Sequence, residues 1–228
     1  RRQRQMCIRD RAYSEQILQN KFGVMIMCHA GVVAPTVQKL IDVEIMWKID
    51  GAGRIAAGIT AVKDEELPDL PRFGIRMFLD KKLSEAAYYG MGPQESYRDK
   101  HRAASHGLFR SSVQELHEDY IMPQENGSHF DCSLVQVSAP GASDESDRNS
   151  SDKNNFVNGS SYQSICNAQT AETIAATTAH SITVTSAVPF SMNASPYTAE
   201  ELTKAAHNYE LPESGKSVLC IDYRQNGI

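Results

Sequence analysis

The feature that most constrains the fold of this chain is a regular alternation of apolar and polar residues over residues 37–49. Apolar side chains at every second position face one way, and a repeat of two is that of a β-strand with one buried face. Residues 50–53, Asp-Gly-Ala-Gly, then supply positions that tolerate positive φ, and the alternation resumes over residues 55–61. The sequence therefore predicts a β-hairpin whose apolar face packs in a core that includes Trp47, the single tryptophan.

Further short strands are predicted along the rest of the chain, at residues 73–79, 87–90, 120–122, 129–137, 182–190 and 217–222. Short strands separated by turn signals, with little helical periodicity, are typical of an antiparallel sandwich. One helix is expected, since Thr198 and Glu201 form a capping-box pattern in which each side chain satisfies a backbone N–H of the other. The predicted fold class is all-β: a large antiparallel β-sandwich with one short helix near residues 199–208.

Two segments differ in composition from the rest of the chain. Residues 1–11 are basic and lack the apolar stretch of a signal peptide; they look like a translated sequencing adapter, and a nucleic-acid-binding arm is the alternative interpretation. Residues 138–170 contain a long polar run that cannot bury enough apolar area to offset its ordering entropy. We therefore predict a non-native segment over 1–11, and a domain over 12–228 that a disordered surface insertion interrupts at about 138–170.

Composition and charge argue against several classes of protein. The formal net charge of −5 gives no basic stripe, which argues against a nucleic-acid partner. Five scattered cysteines with no Cys-x-x-Cys pair fit a reducing compartment better than a disulfide framework. The longest apolar run, residues 24–33, is too short to cross a bilayer. The sequence predicts a cytoplasmic protein with neither a membrane nor a nucleic-acid partner.

Two loops that share the triplet Pro-Gln-Glu carry the most specific signal. They read YYGMGPQESYRDK over residues 88–100 and YIMPQENGSH over residues 120–129. Together with LPRFGIRM at 70–77, FSMNASPYT at 190–198 and LCIDYRQNGI at 219–228, they resemble the C-terminal domain of bacterial β-galactosidases of glycoside hydrolase family two. The resemblance covers the chain from about residue 22 to its end, apart from the polar insertion.

This resemblance implies a galactose-mutarotase-like super-sandwich that packs behind a (β/α)₈ barrel. The barrel hydrolyses terminal β-D-galactose from β-galactosides such as lactose with retention, which takes two carboxylates about 5–5.5 Å apart. Nothing in the chain matches the barrel, so we expect a non-catalytic, carbohydrate-binding-type structural domain, truncated at both ends and inactive alone. The implied partners are the catalytic barrel or large subunit, the galactoside bound by the complex, and further copies in a homo-oligomer. Enzymes of the family often use Mg²⁺ and Na⁺, for which no site is expected here.

Two alternatives remain open: a separately encoded small subunit, and a free mutarotase-like sugar-binding module. The candidates for contact with carbohydrate or a neighbouring domain are Glu95, Tyr97, Asp99, His101, Glu125, Asn126 and His129. Glu95 and Glu125 resemble a glycosidase pair, but anchoring of the loops by hydrogen bonds is the favoured interpretation. No histidine spacing is typical of a zinc site. We expect His101 to be exposed, and His117 to be solvated beside Glu118 and Asp119.

Overall fold

The computed structural model describes residues 9–33, 39–63, 70, 72–141, 172–178, 181–212 and 215–225. The elements are β1 (Arg9–Asn20), β2 (Gly23–Val33), β3 (Lys39–Asp50), β4 (Arg54–Lys63), β5 (Arg72–Asp80), β6 (Glu85–Gly92), β7 (Ser105–Ser112), β8 (Ser128–Ser138), β9 (Glu172–Thr178), β10 (Ser181–Ser195), α1 (Ala199–Lys204), a 3-10 turn (Asn208–Glu210) and β11 (Lys216–Gln225). Strand pairs of defined register are antiparallel. This strand content and antiparallel pairing confirm the all-β prediction. They are also consistent with the predicted β-sandwich.

The chain divides into two compact units, of which the first contains β1 to β4, residues 172–177 of β9 and residues 184–188 of β10. Its strand order is β1-β2-β3-β4-β9. The predicted hairpin is present as β3 and β4, and Asp50 closes its turn because its carboxylate accepts from the N–H groups of Ala52 (2.9 Å) and Arg54 (3.0 Å). Val43 is buried, whereas Trp47, expected in the core, is half-buried.

The second unit contains β5 to β8, β11 and the remainder of β10, in the order β5-β11-β10-β8-β6-β7. Its core includes most of the deeply buried side chains, each less than 2% exposed: Tyr88, His129, Cys132, Val135, Val137, Met192 and Leu219. Burial of apolar surface contributes roughly 25 cal/mol per Å², so these side chains stabilise the unit. It also carries both Pro-Gln-Glu loops.

Several elements differ from the prediction. Strands β1, β2, β7 and β9 are not predicted by the sequence patterns, and residues 120–122, predicted as a strand, form a loop. The capping box at Thr198 is present, but α1 ends at Lys204, before the expected residue 208, because Ala205 is extended. Most of the predicted insertion, 142–170, lies outside the described residues, as does 1–8 of the predicted non-native segment. Residues 9–11 begin β1.

In the described parts of the chain, no helix has the length and apolar character needed to cross a membrane.

Candidate functional site

The two Pro-Gln-Glu loops meet at one end of the β6–β7–β8 sheet. Residues 93–104 connect β6 to β7, and residues 113–127 return from the far end of β7 to the start of β8. Because β8 runs antiparallel to β6, its first residues lie beside the last residues of β6. The backbone N–H of Ser96 donates to the carbonyl of Ser128 at 2.7 Å, which joins the first loop directly to β8.

The carboxylate of Glu95 is the centre of the site. One oxygen accepts from Lys100 Nζ (2.7 Å) and from the Tyr120 hydroxyl, and the other from the Tyr97 hydroxyl (3.0 Å) and the Gly127 N–H (3.1 Å). The side chain is only 8% exposed. Burial raises the pKa of Glu95, but these four donors outweigh that effect and hold the pKa below its usual range. Glu95 is therefore an ionised anchor whose acceptor positions are already used.

Asn126 closes the second loop on itself. Its side-chain oxygen accepts from the Glu118 N–H (3.0 Å), its amide group donates to the Glu118 carbonyl (2.6 Å), and its own carbonyl accepts from the Asn193 side chain. The next residue, Gly127, has a φ of 69°, which favours glycine. Asn126 is 4% exposed, so its polar groups serve the loop rather than the surface.

Glu125 pairs with an arginine that also holds a buried aspartate. Arg72 donates to Glu125 (2.9 Å) and to Asp222 (2.9 Å), and the Asp222 side chain is only 3% exposed. Burial raises the pKa of Asp222, and the guanidinium of Arg72 opposes that shift. Burial would lower the pKa of Arg72, but Asp222 and Glu125 raise it overall. The ion pairs join the loop to β5 and β11.

The histidines are held inside the second unit to different degrees. His129 is 1% exposed, its ring lies 4.2 Å from that of Tyr88, and burial lowers its pKa to about 4. His101 is half-buried rather than exposed, with Nδ1 3.0 Å from the Tyr97 carbonyl. Asp99 is exposed and Tyr97 is buried.

The prediction of a solvated His117 is wrong. Its side chain is 2% exposed and packs edge-on against Tyr197, with ring centroids 5.0 Å apart. Neither ring nitrogen hydrogen-bonds to any described residue, and the nearest carboxylate, of the exposed Asp119, is 4.0 Å away. Burial lowers the pKa of His117, so the neutral imidazole is favoured.

Sequence reasoning missed the exposed apolar residues between these anchors. Ile121 is 95% exposed and Met122 61%, and Tyr209 on the 3-10 turn is 82% exposed. The side-chain amide of Asn208 donates to the Tyr120 carbonyl at 2.8 Å. This hydrogen bond joins the 3-10 turn to the second Pro-Gln-Glu loop. The sequence signal of this loop is two large apolar residues next to a proline, a pattern that predicts a strand over 120–122 instead.

Within the described ranges, no group of three or more His, Cys, Asp and Glu side chains is placed to hold a metal ion.

Comparison with known proteins places this all-β chain in a family. It belongs to the beta galactosidase small chain family, whose model matches residues 2–228. It is 36% identical to a β-galactosidase of Actinobacillus pleuropneumoniae over 218 residues, which are 96% of this chain and 18% of that protein. It is 27% identical over 221 residues to a β-galactosidase of Staphylococcus xylosus, covering 97% of this chain and again 18% of the relative. The resemblance inferred from the loop motifs is thus confirmed, and the chain spans less than a fifth of these relatives.

Proposed function

We propose that this chain is a non-catalytic structural module of a β-galactosidase, which supports the part of the enzyme that hydrolyses β-galactosides such as lactose. Membership of the small chain family supports the assignment to this enzyme. The non-catalytic role is supported mainly by the hydrogen bonds and ion pairs that already engage the two candidate carboxylates. A retaining glycosidase needs one free nucleophilic carboxylate and one carboxyl group that carries a proton. Glu95 binds four donors, and Glu125 pairs with Arg72.

The expected partner is the catalytic barrel or large subunit of the same enzyme, and the galactoside is bound by the assembled complex. We expect the complex to be a cytoplasmic homo-oligomer whose Mg²⁺ and Na⁺, where it uses them, are held by residues outside this chain. A separately encoded small subunit would have the same geometry. Sequencing the gene outward from both ends distinguishes the two: an in-frame barrel upstream indicates one chain, and a stop codon followed by a ribosome-binding site indicates a separate subunit.

A free mutarotase-like module is the second candidate. It would need a histidine and a carboxylate within reach of a sugar ring. The burial of His129 against Tyr88 and the four donors on Glu95 both count against it.

The test is hydrolysis of 2-nitrophenyl β-galactoside by the purified chain, alone and coexpressed with the remainder of its β-galactosidase. We expect no turnover by the chain alone, and turnover when the two parts are produced together. Turnover by the chain alone that Glu95→Gln or Glu125→Gln abolishes, while the matched exposed variant Glu118→Gln does not, would overturn the proposal.

A further inference from the structure

Three large apolar side chains stand out at the surface of the second unit. Ile121, Met122 and Tyr209 are 95%, 61% and 82% exposed, and we call them the apolar tip. The hydrogen bond from Asn208 to the Tyr120 carbonyl joins the chain neighbours of Tyr209 and Ile121. Grouped exposure of large apolar residues is a property of interaction sites rather than of ordinary surface.

The loop that carries the tip is fixed on both sides. Before Ile121, the hydroxyl of Tyr120 donates to Glu95 and its carbonyl accepts from Asn208. After Met122, Pro123 is buried, Glu125 pairs with Arg72, and Asn126 is held by backbone and side-chain contacts. The polar residues that the sequence suggests as contact residues are therefore the supports of the loop.

Such ordering has a cost and a consequence. Fixing the backbone of a residue in one conformation costs conformational entropy. A loop that is ordered before binding does not lose that entropy on association. Less of the free energy gained by burying its apolar surface is then offset, and affinity is higher. Two exposed apolar residues between fixed anchors are thus arranged as a preorganised docking element.

The charges around the tip define the kind of surface that fits it. Glu118 and Asp119 precede it in the loop and are exposed, and Glu210, whose carboxylate lies 3.4 Å from His207 Nδ1, follows Tyr209. Two cations that contact the loops are already paired: Lys100 with Glu95, and Arg72 with Glu125 and Asp222. A complementary surface is therefore an apolar pocket with a basic rim.

We infer that the apolar tip docks into an apolar, basic-rimmed pocket on the catalytic part of the same β-galactosidase. This inference rests on the proposed function, and it names the contact through which the module joins the enzyme. The relative from Actinobacillus pleuropneumoniae is covered to only 18% by this chain, so most of an enzyme of that length lies outside it and is available to form the pocket.

The test measures the Kd between this chain and the remainder of its β-galactosidase, purified as two polypeptides after coexpression. The double variant Ile121→Ser, Met122→Ser is compared with the wild type, and Leu108→Ser, an exposed apolar position of the same unit, is the matched control. We expect the double variant to raise Kd roughly tenfold or more and the control to leave it within about twofold. Because both substituted residues are exposed, an unchanged melting temperature of the chain establishes that the variant is folded.

Equal Kd values for the wild type and the folded double variant would overturn the inference and leave the proposed function in place. Failure of the wild-type chain to bind the remainder at all would overturn both. Self-association of the chain that the double variant abolishes, with unchanged binding to the remainder, would show that the tip contacts a second copy and would also overturn the inference.

Discussion

At the scale of single residues, Glu95 joins three parts of the loop pair through one carboxylate. Replacement by Gln presents an N–H group towards donors such as the Gly127 N–H, so at least one donor loses its acceptor. Since hydrogen bonds to charged groups contribute about 1.5–3 kcal/mol each, we expect Glu95→Gln to lower the free energy of unfolding by about 2–3 kcal/mol. The ion pair with Lys100 contributes little of this, because the Lys100 side chain is exposed. Urea unfolding of the chain measures the change.

The matched control is Glu118→Gln, the same substitution at an exposed position of the second Pro-Gln-Glu loop. We expect it to alter the free energy of unfolding by less than about 0.5 kcal/mol. Equal losses in the two variants would show that the contacts of Glu95 do not stabilise the unit.

His129 links stability to pH because its pKa is about 4 in the folded chain and about 6.5 in the unfolded one. Below about pH 6.5 the unfolded chain takes up a proton that the folded chain does not. The free energy of unfolding therefore decreases as the pH is lowered from about 6.5 to about 4. The full loss is on the order of 3 kcal/mol. Burial lowers the pKa of His117 as well, and its contribution has the same sign.

The variant His129→Gln keeps a donor for the Met91 carbonyl and removes the titration. We expect it to reduce the slope of unfolding free energy against pH, between about pH 6.5 and 5, by up to about 1.4 kcal/mol per pH unit. Urea unfolding at several pH values measures this slope. An unchanged slope would contradict burial of a neutral His129.

At the scale of elements, the second Pro-Gln-Glu loop depends on the conformation of one glycine. Gly127 has a φ of 69°, and a Cβ atom there would lie 1.9 Å from the Leu116 carbonyl oxygen. Gly141 has a φ of 80° with open space around it. Because left-handed backbone alone costs a non-glycine residue about 1–2 kcal/mol, Gly141→Ala isolates that cost. We expect Gly127→Ala to lower the free energy of unfolding by at least about 1–2 kcal/mol more than Gly141→Ala does. Thermal unfolding measures both changes. Similar losses of unfolding free energy in the two variants would mean that the loop moves away from the Leu116 carbonyl without a cost.

At the scale of the whole molecule, exposed apolar residues at the start of the first unit predict self-association of the isolated chain. Ile17, Leu18 and Phe22 are 65%, 58% and 74% exposed, and β1 is the outermost strand in the order formed by the described strands. Exposed outer strands with large apolar side chains pair with other chains. We expect light scattering at micromolar concentration to show oligomers that Ile17→Lys reduces. The control Gln16→Lys adds the same charge without removing apolar surface, and an equal effect would attribute the change to charge alone.

Features whose interactions are local could be predicted from the sequence. The alternation over residues 37–49 predicted β3, the Asp50 turn predicted the hairpin, and Thr198 with Glu201 predicted the start of α1, since in each case the partners are at most four residues apart. The loop motifs indicated the family because they are long and occur in order. Anchoring of the loops by hydrogen bonds of Glu95 and Glu125 was also the favoured interpretation, and Asn126 is of a residue type that caps turns.

Which side chains are buried and which are exposed depends on contacts between residues far apart in the sequence. Arg72 contacts Asp222 and Glu125, which are 150 and 53 residues away in sequence, and no local pattern predicts such pairs. The loss of solvent around His117 and His129, and the exposure of Ile121, follow from the packing of distant strands and loops. Burial is a property of the assembled unit, so the same polar residues that suggest a binding surface in the sequence become its internal supports.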